Sequence, residues 1–323
     1  MSWQWIHAID PVAVRLFGLE VHWYGLSYLV GILAGWWLIC RWQRRGMVPS
    51  RDPRFVGDFV TTIGIAMVLG GRLGYCLFYE PALFTKVSSE IPWWGVLMVH
   101  KGGMASHGGL IGFAVGCWWF TWRRRLVMGV MGDHIAAVAP VGVVFGRLAN
   151  FVNGELYGRP TDGTWGVRFP QELPGFGSAL APAPDSADWA AWAMQAPLRH
   201  PSQLYAMLLE GLILAAIIIP IHLRHRRPWL TAGFCFALYA VGRFIGECWR
   251  LPDAGQPGGP PGSNGISVPA YFGFMSKGQL LTIPFFIVGI ALAIWAWRRG
   301  PRPEAYAPAE PDSGERAPGD PAR

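Results

Sequence analysis

The stretch Gly146-Arg-Leu-Ala-Asn-Phe-Val-Asn-Gly-Glu-Leu-Tyr-Gly-Arg159 carries Arg147 and Asn150 on an apolar segment that runs without a break into Asn153 and Glu155. A cationic side chain inside an apolar span is expensive to desolvate, so it needs a partner or an anionic ligand. Arg147 is therefore a functional-site candidate. The plainer reading is an interfacial Arg reaching for headgroups, with Asn150 joining helices by a hydrogen bond.

Working outward, the whole chain has the composition of a protein dissolved in lipid. Of its 323 residues 52% are hydrophobic and only 15% charged, more apolar than a soluble chain of this length needs to be. Apolar runs near the roughly 20 residues that cross a bilayer lie at about 24–42, 55–78, 103–122, 134–153, 203–223, 230–249 and 279–297. The expected fold is all-α and polytopic, with seven transmembrane helices and an external loop region, about 154–200, between helices 4 and 5. Tryptophans cluster near the run ends (Trp3, Trp5, Trp23, Trp93, Trp94, Trp118, Trp119, Trp229, Trp249, Trp295, Trp297), as an aromatic belt requires, although several would serve equally as core aromatics.

Arginine placement orients the chain. Short loops with Arg41, Arg44, Arg45, Arg51 and Arg54, then Arg123 to Arg125, then Arg224, Arg226 and Arg227, then Arg298, Arg299 and Arg302 alternate with loops poor in basic residues. Basic loops face the cytoplasm, which puts the N-terminus outside and the C-terminus inside. The net charge of +7 is thus a topology signal. Basic residues scattered over loop ends do not make a nucleic-acid surface.

The opening Met1-Ser-Trp-Gln-Trp-Ile-His7 lacks a basic stretch and a small-residue cleavage site, so no signal peptide is expected. Residues 1–299 read as a single membrane-embedded domain. Residues 300–323, rich in Pro, Ala, Glu, Asp and Gly, read as a disordered cytoplasmic tail. The two halves of the chain show no convincing repeat, which weakens a transporter built from repeated bundles.

Cys40, Cys76, Cys117, Cys235 and Cys248 lie in or at the ends of apolar runs with no CxxC pair; each reads as a small buried hydrophobe and not as a reactive thiol. The histidines form no metal motif, and neither a metal nor a cofactor is expected.

Three further places carry chemistry. Lys101-Gly-Gly-Met-Ala-Ser-His-Gly-Gly-Leu-Ile-Gly112 opens the third run with His107 flanked by glycines; a packing histidine and a general base both fit. Gly108, Gly112 and Gly116, and likewise Gly142 and Gly146, repeat every four residues, which reads as helix contact through small faces. Tyr239, Arg243, Glu247 and Arg250 follow spacings of four, four and three and form one polar stripe on the sixth helix, either a self-neutralising pair or the wall of a cavity. Arg199-His-Pro-Ser-Gln-Leu-Tyr205 enters the fifth helix with Pro201 at its start; Gln203 reads as a structural hydrogen-bonding group, and Glu210 points the same way.

His22-Trp-Tyr-Gly25, Gly70-Gly-Arg-Leu-Gly-Tyr75, His107 to Gly112, Gly146 to Arg159, His200 to Tyr205 and Arg243 to Glu247, in this order, resemble the bacterial prolipoprotein diacylglyceryl transferases from about residue 20 to 297. Ala149 stands where glycine is commoner in that family, and the loop at about 160–198 matches no family pattern. The resemblance implies a multi-pass enzyme of the bacterial inner membrane with its active site towards the periplasm. It also implies transfer of the diacylglyceryl group of phosphatidylglycerol to the lipobox cysteine of a preprolipoprotein, with glycerol 1-phosphate released. Such a reaction needs cations on the phosphate and a base for the thiol, while the substrate brings its own nucleophile. Arg147 and Arg243 are then the phosphate clamps, and His107 is the base or thiol-orienting group, helped by a desolvated site. By the family pattern, Tyr24, Asn150, Glu155, Gly158, Tyr239 and Glu247 orient the headgroup or hold the arginines. Two other readings stay open, a transporter or channel with an Arg/Glu/His path and a lipid-binding scaffold without chemistry.

Overall fold

The computed structural model describes residues 3–16, 18–89, 91–99, 102–163, 165–178, 181–183, 186–251 and 275–308. The apolar runs are all helical: α1 (Trp23–Arg44), α2 (Phe55–Phe78), α3 (Ser106–Arg123), α4 (Met128–Val152), a continuous span from Ser202 to Arg224, α8 (Leu230–Gly246) and α9 (Lys277–Arg299). That span is α-helical in α6 (Ser202–Ala206) and α7 (Leu214–Arg224) and π-helical over Met207–Ile213 between them; α5 (Trp189–Ala193) is a short turn of helix before it. Five of the described helices are long and apolar enough to cross a membrane: α1, α2, α4, Ser202–Arg224 and the Gly278–Arg299 part of α9. Leu230–Gly246 is a shorter apolar helix. In α1 only 17% of the most apolar stretch is buried, and Leu29, Val30, Leu33 and Trp37 stand exposed. Apolar surface on this scale needs a non-aqueous neighbour. The chain is a mostly helical, multi-pass membrane protein.

The purely helical expectation needs correcting, because five short strands are added. β1 (Trp3–Ile6) pairs in parallel with β4 (Trp165–Arg168), which pairs antiparallel with β5 (Leu198–Arg199); β2 (Val12–Leu16) and β3 (Leu19–His22) form a hairpin. The cause is backbone satisfaction. Outside the helices, N–H and C=O groups that leave water must still find partners, and the N-terminal segment and the loop region after α4 find them in each other.

The chain divides into two compact units, 1–35 with 135–225 and 230–298, and 36–134 with 226–229 and 299–323. In the first, the Cα of Gly142 lies 3.5 Å from where a Cβ on Gly31 would sit, which lets α1 and α4 touch. A Cβ on Gly142 or on Gly146 would meet nothing within 4 Å, so Gly142 takes part in the expected helix contact through its Cα and Gly146 shows no such contact. Spacing marks a small face without saying what lies opposite.

In the second unit, the expectation for the other glycines holds. A Cβ on Gly70 would lie 2.7 Å from the Cα of Gly112, one on Gly74 2.9 Å from that of Gly108, and one on Gly116 2.7 Å from Ala66. Bare backbone on both helices thus lets α2 and α3 lie in direct contact. The Tyr306 hydroxyl donates to buried Asp133 at 2.6 Å, and a 3-10 turn covers Pro303–Ala305. The first residues of the expected disordered tail are therefore anchored, while 309–323 lie outside the described residues.

Candidate active site: arginines around a buried glutamate

Glu210 has no exposed surface. A carboxylate in an apolar helix demands cations, and it has two: Arg147 Nη2 donates to its Oε2 at 2.8 Å and Arg243 Nη1 to its Oε1 at 3.4 Å. Arg147 comes from α4 and Arg243 from α8. Glu210 lies inside the π segment, a widened turn that often accompanies functional sites. Glycine makes the convergence possible, since a Cβ on Gly211 would meet Val144 at 2.6 Å and one on Gly242 the Leu209 carbonyl at 3.1 Å.

The ion-pair chain continues outward. Arg243 Nη2 lies 3.1 Å from Glu247 Oε2, and Arg250 Nη1 3.7 Å from the same oxygen. α8 ends at Gly246, earlier than the expected 249, yet the backbone N–H of Glu247 still bonds Arg243 O at 3.0 Å. The stripe survives the helix end. Glu247 also packs on the backbone of Gly278, where a Cβ would lie 2.5 Å from its carboxyl carbon. Tyr239, one turn before Arg243, is within electrostatic reach of Glu210, Arg147 and Arg243. A cleft is lined by Arg147, Leu156, Gln203, Glu210, Arg243 and Arg250.

The segment after α4 reaches this cleft through Leu156 and is tied down by hydrogen bonds on either side of it. Asn150 Nδ2 donates to Glu155 Oε1 at 2.7 Å, Gln203 Nε2 to the Glu155 carbonyl at 2.6 Å and Ser202 Oγ to the Leu156 carbonyl at 2.9 Å. The structural role expected of Gln203 is thus observed. At Gly158 three segments meet: its N–H donates to His200 O at 2.9 Å, and a Cβ would lie 2.5 Å from Trp249 O. Arg199 stacks on Tyr157 at 4.9 Å and holds Glu172 through an ion pair of 2.6 Å. Burial lowers the His200 pKa below its ordinary value, favouring the neutral ring. The same cause acts on His7, whose Nδ1 accepts from Gln171 Nε2 at 2.8 Å.

Of the expected residues, the structure joins Arg147, Arg243 and Glu247 in one chain of ion pairs through Glu210, while Asn150, Glu155 and Gly158 are held by hydrogen bonds in and after the end of α4. Tyr24 sits on α1, exposed, its hydroxyl 3.3 Å from that of Tyr28. His107 belongs to the second unit, in the first turn of α3, and its side chain is exposed on the protein surface. The loop before it is held by Arg72, which is buried and donates to the carbonyls of Gly95, Val96, Met98, Gly102 and Gly103. Sequence reasoning missed the part played by Glu210, although a lone carboxylate in the most apolar span was a readable signal. The arrangement can grip an oxyanion, since both guanidiniums keep N–H donors beyond those that hold Glu210. Among the described residues no group of three or more His, Cys, Asp or Glu is placed to hold a metal.

The family model of the prolipoprotein diacylglyceryl transferases matches residues 11–295 of this chain. Proteins named phosphatidylglycerol–prolipoprotein diacylglyceryl transferase are similar along most of its length. That of Stenotrophomonas maltophilia is 36% identical over 304 residues, covering 92% of this chain and 95% of the relative. That of Xanthomonas oryzae pv. oryzae is 39% identical over 92% and 94%, and that of Azotobacter vinelandii 38% identical over 91% and 97%.

Proposed function

The chain belongs to the prolipoprotein diacylglyceryl transferase family, and from that premise we propose how its arginine cluster serves the reaction. The enzyme moves the diacylglyceryl group of phosphatidylglycerol to the cysteine thiol of a prolipoprotein, forming a thioether and releasing glycerol 1-phosphate. In this substitution the thiol loses its proton, a sulfur–carbon bond forms, and the bond between that carbon and the phosphate oxygen breaks. Negative charge grows on the departing phosphate. Fixed cations aimed at developing charge are a large source of catalysis, and two planar guanidiniums can each meet a pair of oxygens.

The observation that supports this reading best is the convergence of Arg147 and Arg243 on one fully buried carboxylate. Asn150, Glu155, Gly158, Tyr239, Glu247 and Tyr24 orient the headgroup or hold the arginines. His107 is the proposed base or thiol-orienting group, an assignment that rests on the family pattern and on the helix-start position of its ring. The lipobox of the preprolipoprotein signal peptide is the proposed acceptor.

The proposed topology has seven spans, an external N-terminus, a cytoplasmic C-terminus and an active site facing the periplasm, in the bacterial inner membrane. Arginine placement supports it. A reporter fused after about residue 48, 125 or 226 is expected in the cytoplasm and one near 180 outside; an external signal at 125 would overturn the arrangement. The chemistry is tested by incubating the purified protein with phosphatidylglycerol and a lipobox peptide. A thioether-linked diacylglyceryl adduct is expected by mass spectrometry. Ion flux across vesicles without product would instead favour a transport protein.

A further inference from the structure

We infer that Leu156 is a specificity-determining residue of the transfer reaction: its side chain receives an apolar side chain of the acceptor peptide beside the reacting cysteine. The inference rests on the transferase reading and adds to it how the protein substrate is recognised. The first observation is the backbone. Leu156 has φ 57°, in the left-handed region that a bulky side chain disfavours and that glycine or asparagine takes at less cost. Strain of this kind gathers at binding sites and persists where the surroundings hold it. Here they do: the Leu156 carbonyl accepts from Ser202 Oγ at 2.9 Å, the Glu155 carbonyl from Gln203 Nε2 at 2.6 Å, and the Glu155 carboxylate from Asn150 Nδ2 at 2.7 Å.

The second observation is the place of the side chain. It is 45% exposed and lines the cleft that also holds Arg147, Glu210 and Arg243. Glycine would give the same turn, so what leucine adds is apolar surface in an ionic cleft. The third observation is depth. Ser202, to which the Leu156 carbonyl is bonded, begins the continuous span that runs to Arg224, and Glu210 lies further along it. At roughly 1.5 Å per residue the two levels are about 12 Å apart. A phospholipid whose phosphate meets Arg147 and Arg243 sends its acyl chains deeper, along the apolar part of the span, and its glycerol headgroup is polar. Neither suits an apolar side chain at the start of the span. The acceptor does, because a signal peptide carries an apolar stretch ahead of its processing site, which puts apolar side chains just before the cysteine.

The test uses the purified full-length enzyme, phosphatidylglycerol and a series of lipobox peptides in which each apolar residue ahead of the cysteine is replaced in turn by alanine. With the wild-type enzyme, alanine at one of these positions is expected to lower kcat/KM about tenfold, the low end for a hydrophobic contact. Leu156→Gly removes the side chain at a backbone position where glycine is unstrained, so its melting temperature in detergent should change little. Its kcat/KM for the parent peptide is expected to fall by the same factor through a higher peptide KM. The alanine peptide should lose nothing further, and the KM for phosphatidylglycerol should not move. Leu156→Met, apolar and of similar volume, should restore the preference. A Leu156→Gly enzyme that keeps the wild-type discrimination overturns the inference, as does one whose KM rises for the lipid instead of the peptide. If Leu156→Gly does not accumulate, Leu156→Asn, polar and tolerant of the same backbone, is read by the same criteria. A wild-type enzyme that uses every peptide equally also overturns the inference and leaves the transferase reading intact, whereas one that transfers to none of them sinks that reading separately.

Discussion

Two arginine sites in this protein use the same side chain in opposite ways. Arg72 places Nε 2.7 Å from Val96 O, Nη1 2.7 and 2.9 Å from Gly102 O and Gly103 O, and Nη2 2.6 and 3.4 Å from Gly95 O and Met98 O. A guanidinium has five N–H donors, and five carbonyls take them. Arg147, by contrast, gives one hydrogen bond to Glu210, and 22% of its side chain is exposed. A buried cation with every donor committed to backbone holds the chain in place. One held by a single carboxylate keeps donors for a ligand. Burial of an arginine therefore does not identify a binding site; the number of donors left over does.

The largest effect expected from this contrast is on turnover. Arg147→Ala and Arg243→Ala should each lower the transfer rate by a factor on the order of 100 to 1,000, as for loss of one oxyanion-stabilising donor. Arg147→Lys is the sharper probe, since it keeps the charge opposite Glu210 and should reach wild-type membrane levels. Its rate should nonetheless recover little, because an ammonium cannot meet two oxygens in one plane. Full activity of Arg147→Ala at wild-type abundance would remove the phosphate clamp from the mechanism.

His107 is expected to show a smaller and pH-dependent loss. His107→Gln keeps hydrogen bonding but cannot accept a proton, so at neutral pH its rate should fall about 100-fold, the low end for general base catalysis. The deficit should shrink as pH rises towards the ordinary thiol pKa of about 8.5, where the acceptor ionises unaided. A deficit that stays constant with pH would leave His107 as an orienting group, and rate profiles of variant and wild type decide between the two.

Arg72 is expected to act on the amount of folded protein and not on the chemistry of each molecule. In Arg72→Lys three donors replace five, and at least two buried carbonyls lose their partners. At about 1–3 kcal/mol for each unsatisfied buried group, the loss is on the order of 2–6 kcal/mol, comparable with the whole stability of many domains. Membrane abundance and melting temperature in detergent should both drop, with the activity per folded molecule changed far less. A variant that melts like wild type but is inactive would break the comparison with Arg147 and make Arg72 part of the reaction.

How much of this was readable beforehand depends on the range of the contact. The helices follow from apolar runs, and Arg243 with Glu247 from a spacing of four, because both are local. Asn150 with Glu155 is nearly as close in sequence. Arg147 was legible as a cation needing a partner, yet Glu210 is 63 positions away, and no periodicity links them. The π segment that carries Glu210 is likewise hidden, since a widened turn leaves the apolar pattern unchanged. Nor could five backbone carbonyls around Arg72 be seen, as carbonyls are present in every residue. The sheet escaped for a related reason: β1 pairs with a strand some 160 positions later, and its register is set by tertiary contact.

The smallest effect is expected from the thiols, two of which, Cys76 and Cys248, lie beside the two arginine regions. Cys76, Cys117 and Cys235 are buried and Cys40 is half-buried, as small hydrophobes would be. Cys248 departs from that expectation. It is exposed, and its sulfur lies 3.8 Å from Gln279 Nε2. Since the incoming cysteine thiol is the nucleophile, an enzyme thiol has no covalent step to perform. Replacing all five by Ala should therefore leave turnover per folded molecule near the wild-type value. Cys76 is the position where packing suffers most, because it is fully buried against Leu83 and Val96 and truncation leaves a small void. Lower abundance without lower specific activity is thus the expected signature at Cys76. Loss of turnover on changing Cys76 or Cys117 alone, at normal membrane levels, would point instead to a diacylglyceryl-enzyme intermediate and would demote the arginine cluster to a binding site.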